Sequence, residues 1–264
     1  MGRLQPDLWK CNYRLGDEKV WRQMRKEYLV TLALTCAVGA ANAALVGRDI
    51  NGNAVAGNAA SSVFLYDNVL NVTWLRNANA NGAKKWGQAN TWAANLVVGA
   101  YDDWRLPTLT PVNGTAFNYN FTNNGTSDYG YGATGTGWGT ASEMGHLFYV
   151  TLGNKGYCTP GAGGSSGCVQ QPGWGLANTG DFQNLQSGEY WSGLEHAPSP
   201  KNAWTFSILG GTQYYSGKSS SLYALAVRSG DVLAPVAVPI PAAAWLMLSG
   251  IGALGAAARR RKAA

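Results

Sequence analysis

Few side chains in this chain are suited to chemistry at neutral pH. It has two histidines, His146 and His196, each close to a carboxylate, Glu143 and Glu195. Glu143 and His146 are three residues apart, a spacing that places both on one helix face. Two His with two Glu would suit a zinc ion if the fold joined them. The competing reading is plainer. Thr140-Ala-Ser-Glu143 fits a capping box, and His196 falls in a proline-containing loop. No Gly-x-Ser-x-Gly, His-Glu-x-x-His, P-loop or dinucleotide fingerprint occurs. The expectation is no catalytic residue, no metal and no cofactor, with a metal-assisted hydrolase of the cell envelope as the alternative.

Two further groups of residues invite a chemical reading. Residues 101–108 read YDDWRLPT, in a chain only 13% charged. No nucleophile or base accompanies them. Trp104 and Leu106 alternate as a buried strand edge does, and Pro107 fixes the exit. The five donors of Arg105 suit a bridge between an acid and backbone carbonyls. The stretch, with Asp103, reads as scaffold. Aromatic residues form the second group: 11 Trp and 13 Tyr stand among 35 Gly. Trp138, Trp174 and Tyr214 are candidate ligand contacts, beside Tyr215 and the alternating Phe117, Tyr119 and Phe121, because aromatic faces stack on sugar rings. The alternative is that they fill the core of a loop-rich fold.

The elements that must position these residues follow from pattern. Residues 62–66 and 71–75 read as strands around Asp67-Asn68. The spacing of Trp86, Ala89, Ala93, Leu96 and Val97 predicts a helix over 85–97, with Gly99 as its stop. Gly, Asn and Thr dominate 111–140, where the alternating aromatics predict one strand over 117–121. A second helix should follow Glu143 and end near Gly153. Residues 153–180 form a Gly-rich loop, and the last third holds three or four strands with Gly210-Gly211 as a hairpin turn. This order predicts an α+β class with a single domain over 44–234, having an antiparallel sheet, two helices and long loops.

The formal charge of +6 is concentrated at the ends. Residues 1–43 carry a net +3, Arg259–Lys262 carry +4, and 44–258 carry −1. No basic stripe tracks phosphates, so nucleic acid is not an expected partner. Residues 24–43 read as a signal peptide: Arg25 and Lys26, an apolar run, then Ala41-Asn42-Ala43. Cleavage is expected between Ala43 and Ala44, and 1–23 as a non-native extension. Cys158 and Cys168 remain in CTPGAGGSSGC, and in an exported chain they predict a disulfide, worth about 2–3 kcal/mol. Near the C-terminus, Ala242–Ala258 is an uncharged run of 17 residues, long enough as a helix for a short transmembrane span. The cations after it mark the cytoplasmic side.

Val238-Pro239-Ile240-Pro241-Ala242, the apolar run and the cluster Arg259, Arg260 and Arg261 together resemble the PEP-CTERM sorting signals, in their Val-Pro-Leu-Pro-Ala variant. The resemblance implies an exosortase-type membrane protease as partner and a transient inner-membrane anchor in a Gram-negative bacterium. Release to the cell surface or extracellular matrix would follow, where exopolysaccharide is the implied partner. The body carries a second resemblance. Tyr66-Asp67, Thr73-Trp74-Leu75, Asp102-Asp103-Trp104-Arg105-Leu106-Pro107-Thr108, Tyr190-Trp191-Ser192-Gly193, Ala203-Trp204 and Ala226-Val227-Arg228 are similar to the Lcl C-terminal domain family, over about 62–231. That family looks related to C-type-lectin-like folds and sulfatase-modifying factors. It implies a C-type-lectin-like domain in which Asp103, Trp104, Arg105, Leu106, Pro107, Trp191 and Arg228 are structural. The calcium motifs of sugar-binding C-type lectins are missing, and the insertion after Thr108 departs from the family pattern. These readings lead to an exported binding or structural protein.

Overall fold

A computed structural model describes residues 45–164 and 167–233. The signal peptide, its Ala43–Ala44 junction, the Val238–Pro241 motif, the 242–258 span and the arginine cluster lie outside these residues. Among the described residues no helix is long and apolar enough to cross a membrane.

The elements are β1 (Leu45–Arg48), β2 (Ala54–Val55), β3 (Phe64–Asp67), β4 (Val72–Leu75), α1 (Trp86–Ala94), β5 (Phe121–Thr122), β6 (Tyr129–Tyr131), α2 (Glu143–His146), β7 (Glu189–Glu195), β8 (Asn202–Ser207), β9 (Thr212–Gly217) and β10 (Val227–Ser229). The mixed α+β class holds, but the single antiparallel sheet is corrected to two five-stranded sheets. One has the order β10-β4-β3-β1-β2 and the other β5-β6-β9-β8-β7. The chain leaves β9, passes Tyr190 at Tyr223, and returns to β4, where Val227 sits opposite Trp74. The early hairpin and the late meander therefore never share an edge. The β5–β6 pair is parallel.

The β3–β4 hairpin forms where its pattern places it. Asp67 closes the turn by accepting the N–H groups of Val69 and Leu70. All four β4 residues are buried. Trp74, Leu65, Leu147, Phe148, Tyr190, Phe206 and Leu225 form the main core. A second cluster joins Ala89 and Ala93 of α1 to Leu106, Trp191 and Ala203. A third gathers Phe64, Leu75, Trp104, Ala226 and Val232.

Three local expectations are corrected. The first helix ends at Ala94, capped by the Asn95 N–H bonding to Thr91 at 3.1 Å, so Gly99 is not its stop. The cap of α2 is Ser142, whose Oγ accepts the Gly145 N–H at 3.0 Å; Glu143 is the first helical residue and is used elsewhere. After His146 the helix widens into a π turn over Leu147–Thr151, where the Leu152 N–H reaches the Leu147 carbonyl. The strand expected over 117–121 is reduced to Phe121–Thr122. Asp128 holds the preceding residues in a loop by accepting the N–H groups of Val112 and Asn118.

Candidate functional site

Every titratable group of the scaffold motif that the structure pairs is spent on the fold. Arg105 forks onto Glu143 through two bonds of 2.7 Å and also donates to the Leu106 carbonyl at 3.2 Å. The same carboxylate accepts the Thr108 N–H at 2.8 Å. The Glu143 bond holds the Arg105 guanidinium even more firmly protonated than usual. Segment 102–107 is thus tied to α2, and Arg105 also bridges the backbone of Val227 in β10. Arg228 of β10 forks onto Asp103 at 2.6 and 3.0 Å and lies over the Tyr101 ring. This bond holds the Asp103 carboxyl below its ordinary range. Trp104 stacks on Phe64 at 5.6 Å between centroids. Leu106 is buried, and the Pro107 carbonyl accepts the Gly193 N–H. Trp191 is fully buried, and its Nε1 donates to the Lys84 carbonyl.

That last bond positions a broad concavity along α1. The start of α1 is stitched to β7 by two indoles: Trp191 Nε1 on Lys84 and Trp86 Nε1 on the Ser192 carbonyl, each at 2.8 Å. With Ala89 and Ala93 turned inward, the outer face of α1 carries Gln88, Thr91 and Asn95 at helical spacing. Beside it runs an open groove of about 1010 Å³. Lys84, Lys85, Lys218, Trp92 and the side-chain amides of Asn81, Gln88 and Asn95 line it, and no Asp or Glu does. Lys218 arrives from the end of β9. It lies over the Trp86 ring at 4.3 Å and pairs with Glu195, while Lys84 Nζ donates to the Asn81 carbonyl at 2.6 Å. Three cations, flat aromatic surface and amides that both donate and accept can hold a hydroxylated, negatively charged chain.

The candidate aromatics fare differently. Trp138 is only 4% exposed, packs on Tyr149 and Phe206, and donates Nε1 to the Ser127 carbonyl. It belongs to the core and has no free face for a ligand, because the Gly-rich loop bearing it folds inward. Trp174 is half-buried, edge-on to Tyr157 at 4.7 Å. Tyr214 is half-buried on β9. Desolvation raises its phenol pKa, and the Glu189 hydrogen bond and charge raise it further. None of these three lines the α1 groove.

The His/Glu set is not assembled: among the described residues no group of three or more His, Cys, Asp or Glu converges. His146 is buried with Nδ1 against the Gly139 carbonyl at 3.2 Å. His196 is 4% exposed and stacks on Tyr215 at 3.9 Å, with Tyr119 and Trp204 edge-on. Desolvation holds its imidazole below the ordinary value. The expected Cys158–Cys168 disulfide is present. Its loop is clamped by buried Asn123, which donates to the Ala162 and Gly167 carbonyls and accepts the Gly161 N–H.

Sequence reasoning missed the groove. Its only local signal was the polar face Lys84, Gln88, Thr91 and Asn95; the contribution of Lys218 depends on the fold. No curated protein and no solved structure matches the chain. The family model of the Lcl C-terminal domain matches residues 64–228, from the first residue of β3 to Arg228 of the Asp103 ion pair, and on this match the chain belongs to the Lcl C-terminal domain family.

Proposed function

We propose that this protein is exported and binds an acidic polysaccharide chain in the groove along α1. The observation that carries the reading is the lining of that groove: Lys84 and Lys85 beside Trp92, together with Lys218, whose ammonium pairs with Glu195. Family membership is consistent with a secreted or surface protein. The signal-peptide pattern before Ala44 and the sorting pattern from Val238 to Arg261 support passage across the inner membrane. In this reading an exosortase-type protease then removes the tail. The domain, a relative of C-type-lectin-like folds, would act as a binding or structural component of the surface or matrix without catalysis.

The experiment is affinity electrophoresis of the native exported protein through gels containing alginate. Retardation that weakens with added salt is expected, because exposed ammonium groups are screened. Lys84→Ala/Lys85→Ala should relieve it. Retardation that salt and this variant leave unchanged would remove the groove from the account.

A further inference from the structure

The other side of β8 carries a second surface built from rings. Ala203 packs with Ala89 and Ala93 under α1, whereas the next residue, Trp204, stacks on Tyr119 at 5.8 Å. Successive strand residues point to opposite faces, so the α1 groove and this surface are separated by the sheet. From Phe121 the rings run to Tyr129, Tyr215, His196 and Tyr119, with successive centroids 5.7, 5.7, 3.9 and 5.1 Å apart. Phe121, Tyr129 and Tyr119 are half-buried, and Tyr215 is 38% exposed. One face of Tyr215 lies on His196, and Tyr129 tilts toward it by 34°.

Both His196 ring nitrogens and Trp204 Nε1 are buried without a hydrogen-bond partner. Such orphans cost stability, and Trp74 Nε1 in the main core is another. None of these residues carries a side-chain charge at neutral pH, in contrast to the lysine groove. The tyrosines add hydroxyls to flat apolar faces, the combination that suits a chain with apolar ring faces and equatorial hydroxyls.

We infer that the ribbon centred on Tyr129 and Tyr215 is a second binding surface, for a neutral polysaccharide, on the opposite side of the sheet from the α1 groove. One domain would then bridge a neutral and an acidic chain; this consequence rests on the groove reading, whereas the ribbon's own binding does not.

The test is affinity electrophoresis of the native protein through gels containing hydroxyethyl cellulose, beside alginate gels. Tyr215→Ala and Tyr129→Ala should each weaken retardation by the neutral polymer roughly tenfold, the loss of one aromatic stacking contact, and leave alginate retardation unchanged. Tyr215→Phe keeps the ring and should retain most of the binding, and the unchanged alginate retardation of Tyr215→Ala separates lost stacking from a folding defect. Lys84→Ala/Lys85→Ala should leave neutral-gel retardation intact. Three results would overturn the inference: an unretarded parent in neutral gels, a Tyr215→Ala variant that binds as the parent does, or a Tyr215→Ala variant that turns an oligomer into a monomer. The last would assign the ribbon to a second copy of the chain. Loss of alginate binding alone would sink the groove reading and leave the ribbon standing.

Discussion

At the residue scale, Arg105 is the tie between the 102–107 segment and α2, and its value lies in the fork. Arg105→Ala leaves the Glu143 carboxylate, whose side chain is 11% exposed, without its counter-ion. Because the arginine itself is partly solvated, the expected loss is about 2–3 kcal/mol, below that of a fully buried pair. Arg105→Lys should recover little, since an ammonium cannot bond both oxygens in one plane. Urea unfolding midpoints would read both variants. His196 makes a pH prediction. Desolvation depresses its folded pKa, so the unfolded state takes up the proton first. Its contribution is complete above the unfolded value near 6.5 and is lost as pH falls from there toward the folded value. Thermal unfolding between pH 7.5 and 5 should show this decline, and His196→Phe should flatten it. The structural role of DDWRLPT was legible from residue types: a buried Trp-x-Leu alternation, a Pro and an unaccompanied Arg. The partner of Arg105 was not, because Glu143 also matches a capping-box spacing that the backbone does not use. Trp138 was misread because a Gly-rich loop in sequence says nothing about which way its indole turns.

At the element scale, α1 carries a glycine that its own stability does not want. Gly87 lies in the first turn, and a Cβ there would meet nothing within 4 Å. Gly87→Ala should therefore stabilise the domain by about 0.5–1 kcal/mol, readable as a higher Tm, while placing a methyl group in the groove wall. Among the described residues the 153–188 loop forms no helix and only isolated backbone bridges, and side-chain amides add to its order. Asn154 accepts the N–H groups of Ala177 and Asn178, while Asn178 donates to the Leu152 carbonyl. Asn123 does the same for the disulfide loop. Reduction of Cys158–Cys168 should cost about 2–3 kcal/mol, with amide hydrogen exchange rising first at Gly161 and Ala162. Hairpin β3–β4, helix α1 and the disulfide were legible because each is a local pattern. The β5 strand was not: the alternating aromatics mimic a longer strand, but Phe117 and Tyr119 turn toward Trp204 from a loop pinned by Asp128.

At the scale of the whole molecule, a nearly neutral body gathers three of its nine Lys and Arg at one groove. Net charge concealed this, because Lys84 and Lys218 are far apart in sequence and meet where the Trp86 N–H bonds to the Lys218 carbonyl and Lys84 pairs with Leu222. The two sheets were illegible for the same reason: β10 joins β4 across most of the chain. The proposed export makes its own prediction. Intact mass of protein recovered from culture medium should show a species beginning at Ala44, ending near Val238 and lighter by two hydrogens for the disulfide. A membrane-bound species that keeps the arginine cluster would instead indicate a permanent anchor. The groove itself is tested most directly by titrating an acidic oligosaccharide into the isotope-labelled exported protein and following backbone and indole N–H resonances. The account predicts shifts at Lys85, Gln88 and the Trp92 indole, diminishing with salt, and none at Trp174. Shifts confined to the disulfide loop, or none at all, would contradict it.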